Sequence, residues 1–124
     1  MRIARASESP KGPMDPSNFS GGSVERRDYG AIDEPSGTAL AVSFAAGART
    51  NWHRHPGGQV LYILEGQARM AARDGTPVSL DPGDLVTALP GEEHWHGAAP
   101  NGPMTHLAIQ FGVTAWGEAV EQGD

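Results

Sequence analysis

Turn residues cut this chain into short segments, and that constrains its fold more than any other feature. Asp74-Gly75, Asp81-Pro82-Gly83-Asp84 and Pro90-Gly91 follow one another in close succession. Seventeen glycines and ten prolines are spread through the chain without a period, which suits tight turns and not collagen or low complexity. Between the turns, apolar residues alternate. In TALAVSFA, Leu40, Val42 and Phe44 interleave with Ala39, Ala41 and Ser43, the period of a strand with two unlike faces. QVLYILEG is a short apolar run closed by Gly66, Asp74-Gly75 is a hairpin signal, and MTHLAIQF (104–111) is the last clear strand. TAWGEAVEQ near the end suits at most a helical turn, which Gly117 limits. Many short strands joined by turn residues predict an all-β sandwich or barrel. Residues 1–22, rich in Ser, Pro and Gly, read as an extended arm with little intrinsic structure, and residues 23–124 as a single barrel domain.

Charge and composition narrow the function. Nine Lys and Arg against fifteen Asp and Glu leave a formal charge of −6. Such a field repels phosphate backbones and anionic lipid surfaces, so neither nucleic acid nor a membrane is an expected partner. No cysteine is present, so disulfides, thiolate nucleophiles and sulfur-ligated metals are excluded. MRIARASESPKGP carries two arginines with no apolar stretch after them, so a secretory signal is not expected and a cytoplasmic protein is the simplest reading.

The five histidines are His53, His55, His94, His96 and His106. On a strand, residues of equal parity share a face. His53 and His55 therefore point together, joined by Gln59 if no bulge intervenes, as do His94 with His96 and His106 with Gln110. A single His-x-His on a strand is most simply an exposed pair. Two of them in a histidine-poor chain favour a metal site.

Residues 47–66, GARTNWHRHPGGQVLYILEG, resemble the first motif of the cupin superfamily, with Gly47, His53, His55, Gln59 and Gly66 on its positions. Residues 82–94, PGDLVTALPGEEH, resemble the second, with His94 in the ligand place. The resemblance implies a small antiparallel jelly-roll barrel in which His53, His55, Gln59 and His94 bind one divalent metal. Most cupins have a glutamate where this chain has Gln59. Three imidazoles and an amide leave the ion's charge uncompensated, so such a site is a stronger Lewis acid and favours anionic ligands. An all-nitrogen-and-oxygen donor set suits Mn(II), which is favoured, as well as Fe(II), Co(II), Ni(II), Cu(II) or Zn(II).

More narrowly, GARTNWHRHPGGQ, HWHGAAPNGPMTHLAIQ and the arm KGPMDPSNFSGG resemble the small single-domain cupins that include the bacterial manganese-dependent hydroxynitrile lyases and carboxymuconolactone-decarboxylase-associated cupins. That implies cleavage of a cyanohydrin to a carbonyl compound and cyanide, and a homo-oligomer, dimer or tetramer. Two departures stand against that family's pattern: Glu93 near the mouth, and Leu40 on a cavity-facing strand. His106, inward-facing and outside the ligand set, is the candidate base, kept neutral by the adjacent dication. Its structural alternative is a buried ring bonded to a carbonyl. Gln110 would orient substrate, and Leu40, Val42, Phe44 and His96 would line the pocket. Arg49 and Thr50 sit at the cavity rim or in solvent. Trp52 and Trp95 alternate with the histidines and should pack on the other side, while Met70 and Met104 read as core fillers. A cupin dioxygenase and a non-catalytic small-molecule-binding cupin are the competing readings.

Overall fold

The computed structural model describes residues 2–33 and 35–121. Its thirteen strands run in chain order as β1 (Lys11–Pro13), β2 (Phe19–Ser20), β3 (Val24–Ile32), β4 (Gly37–Phe44), β5 (Arg49–Thr50), β6 (His53–Arg54), β7 (Gln59–Glu65), β8 (Ala68–Ala72), β9 (Val78–Leu80), β10 (Leu85–Ala88), β11 (His94–Ala98), β12 (Met104–Phe111) and β13 (Ala115–Trp116). One sheet has the order β1-β3-β4-β12-β7-β10. The other has the order β13-β6-β11-β5-β2, with β8 also paired to β11 and β9 to β8. Every pairing is antiparallel. The result is the all-β architecture that the turn spacing predicts, in the jelly-roll form that the cupin resemblance implies.

The alternation of TALAVSFA works as expected. Val42 and Phe44 are buried in a core that also holds Ile63, Met104, Ala68 and Ala98, drawn from both sheets. Two of the three tryptophans take the opposite side of the second sheet, where Trp52 and Trp95 pack with Ala71 and Val120. Met70 fills a third cluster with Leu61 and Ala108. Gly66, at φ +75, closes β7, and a Cβ there would run into the Pro103 carbonyl, so only glycine fits that turn.

Both ends of the chain depart from expectation. The arm holds two short 3-10 turns, Ala6–Glu8 and Pro16–Asn18, and its strands are paired, β1 to β3 and β2 to β5. Pairing follows from packing: the Phe19 ring lies 6.0 Å from Phe44 and 5.8 Å from Trp116. The tail TAWGEAVEQ forms β13 instead of a helical turn; of it, Gln122 lies outside the described residues. Its backbone is committed elsewhere, since Gly117 N donates to Trp52 O at 2.7 Å and Trp52 N donates to Glu118 O at 2.9 Å. Among the described residues no helix is long and apolar enough to cross a membrane.

Candidate metal centre

All five histidines are buried. His53 on β6 lies directly opposite His94 on β11, and their ring centres are 4.4 Å apart. His96 follows on the same face of β11, its ring 5.1 Å from that of His53. His55 sits just past β6, its ring 5.0 Å from His53 and 5.6 Å from His94.

Gln59 joins them by another route than strand parity. The turn at residues 56–58 carries the chain from the second sheet to the first, so Gln59 opens β7 and reaches in from across the barrel. Gly58 makes that crossing possible, with φ +88 and a position where a Cβ would lie 2.9 Å from the Ala88 carbonyl.

The hydrogen bonds fix which ring atoms are free. His53 Nδ1 is 2.8 Å from Asn51 O, and His94 Nδ1 is 2.9 Å from Glu92 O. A carbonyl only accepts, so Nδ1 carries the proton and a neutral ring keeps its lone pair on Nε2. His55 Nδ1 lies 3.0 Å from Thr114 Oγ1, and its Nε2 is buried with no partner. Gln59 Oε1 lies 2.9 Å from His94 Nε2, while Gln59 Nε2 donates to Gln110 Oε1 at 3.1 Å. An amide oxygen and an imidazole lone pair thus face each other with no proton to share. A cation bound by both turns that repulsion into coordination, so the residues fit a divalent ion.

Protonation does not compete with that role near neutral pH. Burial, reinforced by His94, brings His53 down to about 3. Burial, then His94, bring His55 to about 4, with the nearby Gln59 side chain pulling weakly the other way. Burial lowers His94 against the pull of the Glu92 carbonyl, and burial followed by the other histidines, His106 foremost, holds His96 well below the usual range. His106 falls to about 4, and burial is again the cause. No neighbouring dication is needed to keep it neutral. His53, His94 and His96 offer ligand atoms all within 4.8 Å of one another. Three buried histidines could therefore hold a metal ion, in a donor set of nitrogen and oxygen that suits a first-row divalent cation.

A cavity of about 230 Å³ opens beside this cluster and is bordered by His53, His55, Gln59, His96, His106 and Gln110. Leu40, Val42 and Phe44 form its apolar wall. His94 lies behind it, against Gln59. His106 meets His96 inside the barrel. Its Nε2 is 3.1 Å from His96 Nδ1, and its Nδ1 is buried and unpartnered.

Glu93 is not at the mouth, contrary to the sequence expectation. Its carboxylate is turned outward to Arg73 and Arg54, and cation pairing outside the barrel is a cheaper place for that charge than an apolar rim. Thr50 is buried, and its hydroxyl accepts from His96 N at 3.2 Å. Arg49 lies over the Trp95 ring at 5.3 Å and donates to Val120 O and Glu121 O. Sequence reasoning missed Thr38, Thr114 and Trp116, all of which line the cavity, with the Trp116 ring 4.8 Å from that of His53. The equal parity of Thr114 and Trp116 was the available signal, in a segment read as helical.

Residues 40–110 match the family model described as Cupin domain. An 82-residue stretch is 46% identical to the (R)-mandelonitrile lyase of Granulicella tundricola, covering 66% of this chain and 63% of that protein. This chain thus spans less than two thirds of that relative's length. A cupin-like protein from Thermotoga maritima superposes with a TM-score of 0.81 at 32% identity, over 89% of this chain and 86% of that one. A predicted oxalate decarboxylase from the same organism shares the fold, with a TM-score of 0.76 at 20% identity over 90% of this chain and all of the other.

Proposed function

The chain belongs to the cupin family, and from that premise we propose that it is a metal-dependent lyase cleaving cyanohydrins to a carbonyl compound and cyanide. His53, His55, Gln59 and His94 would hold the ion, Mn(II) by preference. The three rings have Nδ1 held by Asn51 O for His53, by Glu92 O for His94 and by the Thr114 hydroxyl for His55; with that hydroxyl accepting, each Nε2 is left to ligate. When bound, the ion supplies Lewis-acidic positive charge that stabilises developing negative charge.

The single observation that carries the reading is His106. It borders the cavity, is 1% exposed, and has a free Nδ1 while Nε2 contacts His96 Nδ1. One proton occupies that His–His contact. When it sits on His106 Nε2 and is donated to His96, the His106 lone pair lies at Nδ1, as a base requires. In that tautomer His96 carries its own proton on Nε2, so of the three clustered rings that could hold an ion it becomes a hydrogen-bond donor to substrate and yields its ligand place to the unpartnered Nε2 of His55. His106 Nδ1 takes the cyanohydrin hydroxyl proton, the bond between the carbinol and cyano carbons breaks, and cyanide leaves with the bonding pair. The proton then passes from His106 to cyanide as hydrogen cyanide. Leu40, Val42 and Phe44 keep water from the reacting carbon. Similarity to the (R)-mandelonitrile lyase of Granulicella tundricola supports the substrate class.

The test is cyanide release from mandelonitrile by Mn(II)-loaded protein in the absence of oxygen. His106→Ala should keep its metal and lose about 10²–10⁴-fold in rate. Equal rates in the two proteins would remove His106 from the chemistry. Absence of cleavage, with oxygen uptake on enol or catechol-like substrates, would move the protein to the dioxygenases.

A further inference from the structure

We infer that Gln110 is a positioning residue, whose carboxamide holds the Gln59 side chain with its oxygen, and not its nitrogen, toward the histidine cluster. The inference rests on the reading of Gln59 as a ligand. A carboxamide has two unlike ends of nearly equal size, and only the oxygen has lone pairs for a cation. Its terminal torsion is broad and two-fold, so little in the side chain itself decides which end faces inward. Beside a neutral His94 Nε2 lone pair, the NH₂ end is the more favourable neighbour whenever no ion is bound. That orientation blocks coordination.

Gln110 supplies the opposing preference. Its Oε1 accepts from Gln59 Nε2 at 3.1 Å, which holds the NH₂ end away from His94. The two glutamines are direct cross-strand partners on β7 and β12, and Gln110 is in turn the partner of Thr38 on β4. Gln110 Nε2 donates to Thr38 Oγ1, so the second amide is also fixed in direction. The row Gln59–Gln110–Thr38 thus runs across three adjacent strands with every donor pointing the same way. Gln59 and Gln110 are 4% and 6% exposed, so water does not readily replace either partner. Thr38 is exposed at the cavity mouth, where water can stand in for it. A glutamate at position 59 would need no such row, because its two oxygens are equivalent. The amide of Gln110 therefore acts on the protein's own ligand before it acts on any substrate.

The test is Mn(II) affinity, measured by titration calorimetry on wild type, Gln110→Met, Gln59→Glu and the double variant. Gln110→Met should weaken Mn(II) binding about tenfold or more in the wild-type background. In the Gln59→Glu background the same substitution should cost nothing, since a carboxylate has no wrong end. Thr38→Val, a milder change at the mouth, should cost about threefold in the wild-type background and nothing beside Gln59→Glu. Equal loss in both backgrounds would mean that Gln110 only supports packing, and an unchanged affinity in Gln110→Met alone would mean that it orients nothing. Either result overturns the inference. Lyase turnover is not read in this experiment, so failure of the proposed reaction leaves it intact.

Discussion

Removal of the ion should make this protein acid-labile, and the burial of its histidines sets the scale. His53 lies at about 3, and His55 and His106 at about 4, against 6.5 for an unburied ring. Between those limits the unfolded chain binds protons that the folded chain refuses. Stability is therefore fully present above pH 6.5 and is lost as pH falls from there toward 4. Each such ring contributes about 1.4 kcal/mol per pH unit once well inside the window, so the three together approach about 4 kcal/mol per unit. A domain in the lower part of the usual stability range, with roughly 5–10 kcal/mol in hand, should then unfold between about pH 4 and 5.5 at 25 °C. Urea titrations of chelator-treated protein at a series of pH values from 7.5 down to 5 measure the slope directly. The bound ion requires the same neutral rings, so metal-loaded protein should resist acid further. An unfolding free energy that stays flat from pH 7 to pH 5 would refute the reasoning, because it would mean that the rings are solvated or paired in solution.

Two substitutions probe the supports of the site. Thr114→Val removes the hydroxyl 3.0 Å from His55 Nδ1 and should lower Mn(II) affinity about tenfold, read by calorimetry; undiminished binding would show that His55 needs no such anchor. Phe44→Ala deletes a 1%-exposed ring lying 5.3 Å from that of His106 and 6.0 Å from that of Phe19. It should destabilise the protein by about 3–5 kcal/mol in urea, and a loss below about 1 kcal/mol would place that ring outside the core.

Much of this was legible before any coordinates because it depends on local pattern. The parity of Leu40, Val42 and Phe44 and of His106 with Gln110 survives folding, since β4 and β12 are regular paired strands. Parity could not carry His55 to Gln59, because the chain changes sheets between them and it is the left-handed Gly58 that aims the glutamine. The contributions of Phe19, Thr114 and Trp116 were hidden for a related reason. They come from ends of the chain whose structure follows from long-range pairing, β2 with β5 and β13 with β6, and strands of two residues are too short for their parity to announce a distant partner. Glu93 misled because position in a turn does not tell which side of the sheet a side chain takes. The choice went to Arg73, which follows β8, the strand paired beside β11.

Metal occupancy tests the central claim, a divalent ion held by His53, His55, Gln59 and His94, more directly than any rate. Elemental analysis of protein purified without added metal, and again after dialysis against Mn(II), should find one first-row divalent ion per chain in wild type. In His94→Ala most of that occupancy should be gone, with the strand content unchanged by circular dichroism. A wild-type protein that stays empty after Mn(II) loading, or a His94→Ala protein that retains a full complement, would contradict the account.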